Sequence, residues 1–422
     1  LRLTGNTYNL WLPPPQTISR PFSIFLMRER WPHSVKVARG WRMPFFFIFS
    51  FNWCAPAVVI LLSAALAAAV QAQPRGSDQG PVQVAAVIEQ VRAVPADAGK
   101  IAAARDTGFR LLAASRYEDA WAIFSAILEV APRDERALYG GALALFNLRR
   151  LEESERLARA AFESASGPSG ATATDSASVR ANSRSASDAL VLLGVILAVK
   201  GDGAAALKAV EQAVTLAPDN FDAQFALGRA RYGAGDPAGA ARAFRAAVAL
   251  RSNDAQARFF LATALEGAAD YEGALAAYRE LLRVRPESAE GHLGLGALLV
   301  KIGGEKTDEG IKELAQAIGL NGELYEARIT LGRALVRMGR AEQAVEHLER
   351  AAALAPDNPE PHYQLAQAYR RLGKRAEAER ENGIVKEIHS GRRGKDRREG
   401  GGNNDNNSGP PGTSSRDQDR RP

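Results

Sequence analysis

Five histidines, one cysteine and a few glycine-bearing turns are the residues of this 422-residue chain whose types could carry chemistry. His33, His292, His347, His362 and His389 stand apart from one another. None has a second histidine at metal-ligand spacing and no H-E-x-x-H occurs, so a zinc site has no donor set. Each reads as a surface or packing residue. Cys54 lies in an apolar N-terminal stretch, and the chain beyond it has no cysteine for a disulfide, a thiol nucleophile or a metal site. Phe51-Asn52-Trp53 precede it where a lipid-anchor site needs small residues. Lys306-Thr307 follows Gly303-Gly304, but Glu305 stands before the lysine where a phosphate loop needs glycine, and Val300 takes the place of its first glycine. Gly294 and Gly296 lack the third glycine of a dinucleotide loop. The sequence therefore predicts no catalytic residue, no metal site and no cofactor.

The elements that would have to position any site repeat themselves. Leu193, Leu227, Leu261, Leu295, Leu331 and Leu365 are separated by steps of 34, 34, 34, 36 and 34 residues. Such a period marks stacked supersecondary units. Each leucine is followed by a small residue: Gly194, Gly228, Ala262, Gly296, Gly332 and Ala366. Ala206, Ala240, Ala274, Ala344 and Ala378 form a second small-residue row, and Val210, Phe244, Tyr278 and Leu348 lie one helical turn beyond the first four. Spacings of three and four place these residues on one helix face, and small residues let two helices approach. Pro132, Pro218, Pro286 and Pro356 close units, since proline cannot extend a helix. Asp219-Asn220 and Asp357-Asn358 are N-cap candidates, and Lys200–Gly203, Gly233–Asp236 and Met338–Arg340 read as turns between paired helices.

This pattern resembles the tetratricopeptide repeat family, over roughly Ile101 to His389. The resemblance implies an all-α fold, an α-solenoid coiling as a right-handed superhelix of about eight helix-turn-helix repeats. Two early units depart from the pattern: Ser154 stands where the small alanine is usual. In the last unit Asn382 replaces the aromatic. Pro132 to Pro218 spans 86 residues, two repeats plus 18, and residues 164–187, rich in Ser, Ala, Gly and Thr, are expected to be a flexible loop. Pro286 to Pro356 spans 70, and the extra pair is assigned to the turn Gly303–Thr307. The organisation expected is a doubtful upstream segment (1–42), a signal peptide or anchor (43–72), a linker or short helix (73–100), repeats 1–2 (101–163), the loop (164–187), repeats 3–8 (188–389) and a disordered tail (390–422).

The resemblance also implies where a partner would lie, because first helices line a concave groove in this family. The positions carried over are Phe225, Arg229, Tyr232, Phe259, Lys301, Arg333, Arg337, Tyr363, Gln367 and Arg370. They describe an aromatic and aliphatic floor with two arginines, between an acidic rim and a partly basic one. Acids at helix starts and bases at helix ends also complement the helix dipole, which accounts for much of the rim sorting. The aromatic floor beside Arg229 and Arg333 suits a peptide with apolar side chains and a carboxylate. The lysine and asparagine set of the carboxylate-clamp subgroup is absent. The expected role is an exported, non-catalytic scaffold that binds a protein or peptide; the alternatives are a chaperone-like assembly factor for cell-envelope proteins or polysaccharide machinery, and an enzyme built from groove residues. Repeats fill nearly all of Ile101–His389, leaving no room for a catalytic core.

The formal charge of +6 is misleading about partners. Residues 1–72 hold seven Lys/Arg and one Asp/Glu, leaving 47 of each sign in the rest, so nucleic-acid binding has no electrostatic support. The basic run from Arg392 to Arg398 reads as part of a solubilising tail. Met27 and Met43 are candidate starts. Phe45–Val70 is apolar, and Val70-Gln71-Ala72 offers small residues for cleavage before Gln73. An uncleaved membrane anchor is the alternative. Either reading places the repeats outside the cytoplasm, in the periplasm or secreted.

Overall fold

The computed structural model of the chain describes residues 83–93, 97–167 and 176–400, with the backbone alone over 392–400. The leader, the upstream segment and residues 401–422 of the expected tail lie outside them. Every regular element among the described residues is a helix. A short helix α1 (Val84–Ala93) precedes eight helix-turn-helix pairs. They are α2 (Ala98–Ala113) with α3 (Tyr117–Val130), α4 (Glu135–Asn147) with α5 (Leu151–Ser166), α6 (Ser176–Val199) with α7 (Gly203–Leu216), and α8 (Phe221–Gly233) with α9 (Pro237–Leu250). Next come α10 (Ala255–Gly267) with α11 (Tyr271–Val284), α12 (Ala289–Ile302) with α13 (Lys306–Leu320), α14 (Tyr325–Arg337) with α15 (Ala341–Leu354), and α16 (Pro359–Arg371) with α17 (Arg375–Gly400). This is an all-α solenoid architecture. The chain divides into two compact units, Leu1–Ala226 and Leu227–Pro422, with the boundary inside α8.

The helices start where short polar side chains can satisfy free backbone amides. Asp134 accepts from the Ala137 amide at 2.9 Å, Asp236 from Gly239 at 2.7 Å and Asp254 from Ala257 at 2.8 Å. Asn220 and Asn358 cap α8 and α16, as their position after proline predicts. They also tie each repeat to the one before. The Asn220 amide donates to Ser187 and Asp188 on α6, and the Asn358 amide donates to the Tyr325 hydroxyl on α14. Turns between paired helices place one residue in the left-handed region, filled by Gly201, Gly235, Gly339 and Gly373. Ser115, Arg149 and Ala269 adopt it without that freedom.

The small-residue row explains the packing. In unit 1 the Phe124 ring, wholly buried, lies against both Gly108 and Gly140; a Cβ on either would come within 2.6 and 2.4 Å of it. In unit 2 Phe244 lies against Gly228 and stacks on Phe260 with centroids 5.5 Å apart. Phe124 thus wedges between α2 and α4, and Phe244 between α8 and α10. Where the pattern departs, hydrogen bonds compensate: the buried Ser154 hydroxyl donates to the Ala142 carbonyl at 2.7 Å, and the Asn382 amide donates to Ala378 at 2.8 Å.

Three expectations about irregular segments need correction. Residues 176–187 are helical and belong to α6, which reaches 24 residues where α8 and α10 have 13. By length and composition α6 could cross a membrane, but its Leu190, Leu193 and Ile196 sit in the core of unit 1 with Ala206, Ala209 and Ala213 of α7. Residues 390–400 continue α17 as helix. The extra pair assigned to the turn at Gly303 instead lengthens its neighbours. α12 has 14 residues against 13 in α10, and α13 has 15 against 14 in α11. Gly310 therefore takes the small-residue place opposite Gly296, where a Cβ on Gly296 would lie 2.8 Å from its carbonyl oxygen.

Candidate functional site

The first helices of unit 2 carry nine of the ten predicted partner-contact residues. α10 presents Phe259, half-buried, edge-on to Phe260 at 5.8 Å and to Tyr278 at 6.2 Å. α8 presents Arg229, half-buried with its guanidinium 5.7 Å from the Phe260 ring centre. Burial pushes that guanidinium down to about 10, still protonated at neutral pH. Tyr232, one turn later, is 40% exposed.

Toward the helix ends the charges sort into tied and open groups. Lys301 at the end of α12 is bound to Glu266 of α10 at 3.0 Å and lies 5.0 Å from the Tyr271 ring centre. Arg333 of α14 reaches Glu360 of α16 at 3.2 Å. Arg337, one turn further, is exposed and has no ion pair among the described residues. Partial burial and the like charge of Arg333 both push its guanidinium down, so the site disfavours a second cation there. On α16, Arg370 bonds back to the Ala366 carbonyl and Arg371 to the Val336 carbonyl. Gln367 is half-buried, and Tyr363 is half exposed at 50%. At the helix starts, burial pushes the Glu326 carboxyl up, and its Oε2 is buried without a hydrogen bond among the described residues.

Phe225 requires correction. It is 4% exposed and stacks on Phe221 with centroids 5.8 Å apart, so it is core in unit 1 and not a groove surface. The repeat register assigned this position to the first-helix face. It could not give the depth of the side chain, which depends on what packs beside it.

Unit 1 holds a feature that the register alone does not reveal. A cavity of about 150 Å³ is lined by Phe109 of α2, Glu135, Arg136 and Tyr139 of α4, Ala161 of α5, and Ser185, Asp188 and Ala189 of α6. Phe109 and Tyr139 hold the register positions of Arg229 and Phe259. Burial pushes the Asp188 carboxyl up, against the opposing pull of the Asn220 amide at 2.7 Å and of Arg184 at 3.6 Å. Tyr139 is pushed up by burial and then by the negative charges of Asp188 and Asp222.

Two of the histidines act as braces. His292 reaches Glu313 through Nδ1 at 2.6 Å and the Pro286 carbonyl through Nε2 at 2.9 Å, and His362 reaches Glu381 at 2.6 Å. Among the described residues no three His, Cys, Asp or Glu side chains converge as metal ligands.

Comparison with known proteins places repeats where the helix pairs lie. A tetratricopeptide-repeat profile matches residues 156–221, 225–268 and 261–323, and a TPR-repeat profile matches 332–373. No curated protein matches the chain. Similar solved structures include MamA, 21% identical over 39% of this chain and 95% of that one, with a TM-score of 0.37. YrrB, described as a TPR protein with an unusual peptide-binding site, is 20% identical over 43% of this chain and 93% of its own, with a TM-score of 0.37. PilF of Pseudomonas aeruginosa is 19% identical over 50% and 94%, with a TM-score of 0.43.

Proposed function

The chain belongs to the tetratricopeptide-repeat family, and from that premise we propose that it is a scaffold without a reaction of its own, whose unit 2 first-helix face binds a peptide bearing apolar side chains and a carboxylate. The observation that carries this reading is the exposure, on first helices of unit 2, of the Tyr363 ring and of Arg337, a guanidinium without an acidic partner among the described residues. An aromatic ring contributes contact area at low entropic cost, and an arginine fork matches a carboxylate. The helix dipole explains why a base stands at the end of α14. It does not explain a half-exposed tyrosine on α16. The apolar stretch over 45–70 supports a further proposal, that the repeats work outside the cytoplasm behind a cleaved leader or an anchor.

The test is affinity capture from an envelope fraction with the full chain and with the double variant Tyr363→Ala, Arg337→Ala. Both side chains are exposed, so the double variant should melt with the parent. The reading expects at least one partner at near-stoichiometric yield, lost or reduced about tenfold or more by the double variant. Identical recovery from both proteins sinks the proposed face. Recovery of many substoichiometric clients, all sensitive to the variant, would shift the role to an assembly factor using the same face.

A further inference from the structure

The cavity in unit 1 differs in chemistry from the unit 2 face. Its walls are aromatic and methyl-bearing, from Phe109, Tyr139, Ala161 and Ala189, and its acidic groups are Glu135 and Asp188. Asp188 has one short hydrogen bond, from the Asn220 amide. Its cationic neighbour Arg184 stays at 3.6 Å and also leans toward the Asp219 carbonyl at 3.5 Å. Glu135 has no ion pair among the described residues. The Tyr139 hydroxyl makes no hydrogen bond among the described residues, and burial first, then the charges of Asp188 and Asp222, push its ionisation up.

The cavity already displays the recognition it would use. The Arg136 guanidinium lies 5.6 Å from the Phe109 ring centre, a cation over an aromatic face. Arg136 is exposed, and Phe109, Tyr139 and Glu135 line the space beside it. A lysine or arginine side chain brings what these walls match: a methylene stem for the aromatic and alanine surfaces and a charged head for the acids. An acidic side chain would meet the like charges of Glu135 and Asp188, and a purely apolar one would leave Glu135 without an ion pair.

We propose that the unit 1 cavity is a subsite for the lysine or arginine side chain of a partner protein. It is separate from the unit 2 face and uses the opposite charge.

Saturation-transfer NMR on the full chain tests it, with n-butylguanidinium, n-butylammonium and pentanoate as probes. The two cations should bind and pentanoate should not. Asp188→Asn and Glu135→Gln should each weaken cation binding about fivefold, and the pair about tenfold or more. Arg337→Ala should leave it unchanged. Asp188 also receives the Asn220 amide, so a thermal melt accompanies that variant. If it melts early, Glu135→Gln alone carries the test, because the Glu135 side chain has no hydrogen bond or ion pair among the described residues. Pentanoate binding as well as the cations would overturn the proposal, as would cation affinity that survives both substitutions. Either failure leaves the unit 2 reading intact, since that reading rests on Tyr363 and Arg337.

Discussion

Gly228→Ala should destabilise unit 2, although alanine is the better helix former. Replacing glycine by alanine in a helix interior ordinarily gains about 1 kcal/mol. At Gly228 the new methyl would lie 2.6, 2.7 and 2.8 Å from three carbons of the Phe244 ring. Carbon atoms attract best at about 3.5–4.0 Å, so the overlap approaches about 1 Å. The ring cannot retreat, being 1% exposed and stacked on Phe260 at 5.5 Å. Overpacking of this kind costs about 1–3 kcal/mol, and steric overlap with three ring atoms belongs in the upper half of that range. The net loss is then about 1–2 kcal/mol. Gly319 in α13 is the control, because nothing lies within 4 Å of a Cβ built there. Gly319→Ala should stabilise by about 0.5–1 kcal/mol. Urea unfolding followed by circular dichroism measures both, and native-state hydrogen exchange in α8 and α9 localises the first, which matters because repeat stacks open in parts. The combination Gly228→Ala, Phe244→Leu should recover part of the loss. A Gly228→Ala protein as stable as its parent, or two glycine variants that shift together, would refute the wedge argument.

Three further outcomes follow from single side chains. Asp236→Ala removes the acceptor of the Gly239 amide at the start of α9 and should cost about 1 kcal/mol in the same urea assay. Gly235 holds a φ of +79° in the turn before α9, and Gly235→Ala should lower stability by about 1 kcal/mol, with Gly235→Asn milder. Burial, with the nearby charge of Arg328, pushes the His347 imidazole below its usual value, and its Nδ1 is buried without a hydrogen bond among the described residues. The unfolded chain therefore takes up the proton first as pH falls through about 6.5, and the fold loses stability below that value. His347→Leu should flatten this dependence and raise the melting temperature at pH 5 relative to the parent. A slope that persists unchanged would assign it to other groups.

Much of the architecture could be read from periodicity, for a local reason. A residue's place on a helix face depends on its own register, and a glycine opposite a large residue sixteen positions on, as Gly228 opposite Phe244, records one close helix approach within a single unit. The caps at Asn220 and Asn358 and the left-handed glycines of the turns are local in the same sense. Register also assigned positions to the first helices, without their depth. It put Tyr363 and Arg337 on the first-helix face, and the structure shows both exposed there.

The tertiary structure decided what register cannot carry, which is how deep each side chain lies and what surrounds it. Phe225 and Phe259 share a repeat position, yet Phe225 is stacked into the core on Phe221 while Phe259 stays half-buried against Phe260 and Tyr278. Composition made 176–187 look like loop, but those residues form helix because α6 continues into apolar turns that the core of unit 1 buries. The unit 1 cavity assembles side chains from four helices, and only their packing brings Phe109, Tyr139 and Asp188 around one space. Sequence alone determined the repeating unit, because its contacts recur at fixed short spacings. Packing between neighbouring repeats decided which surfaces remain open, because burial depends on several chain segments at once.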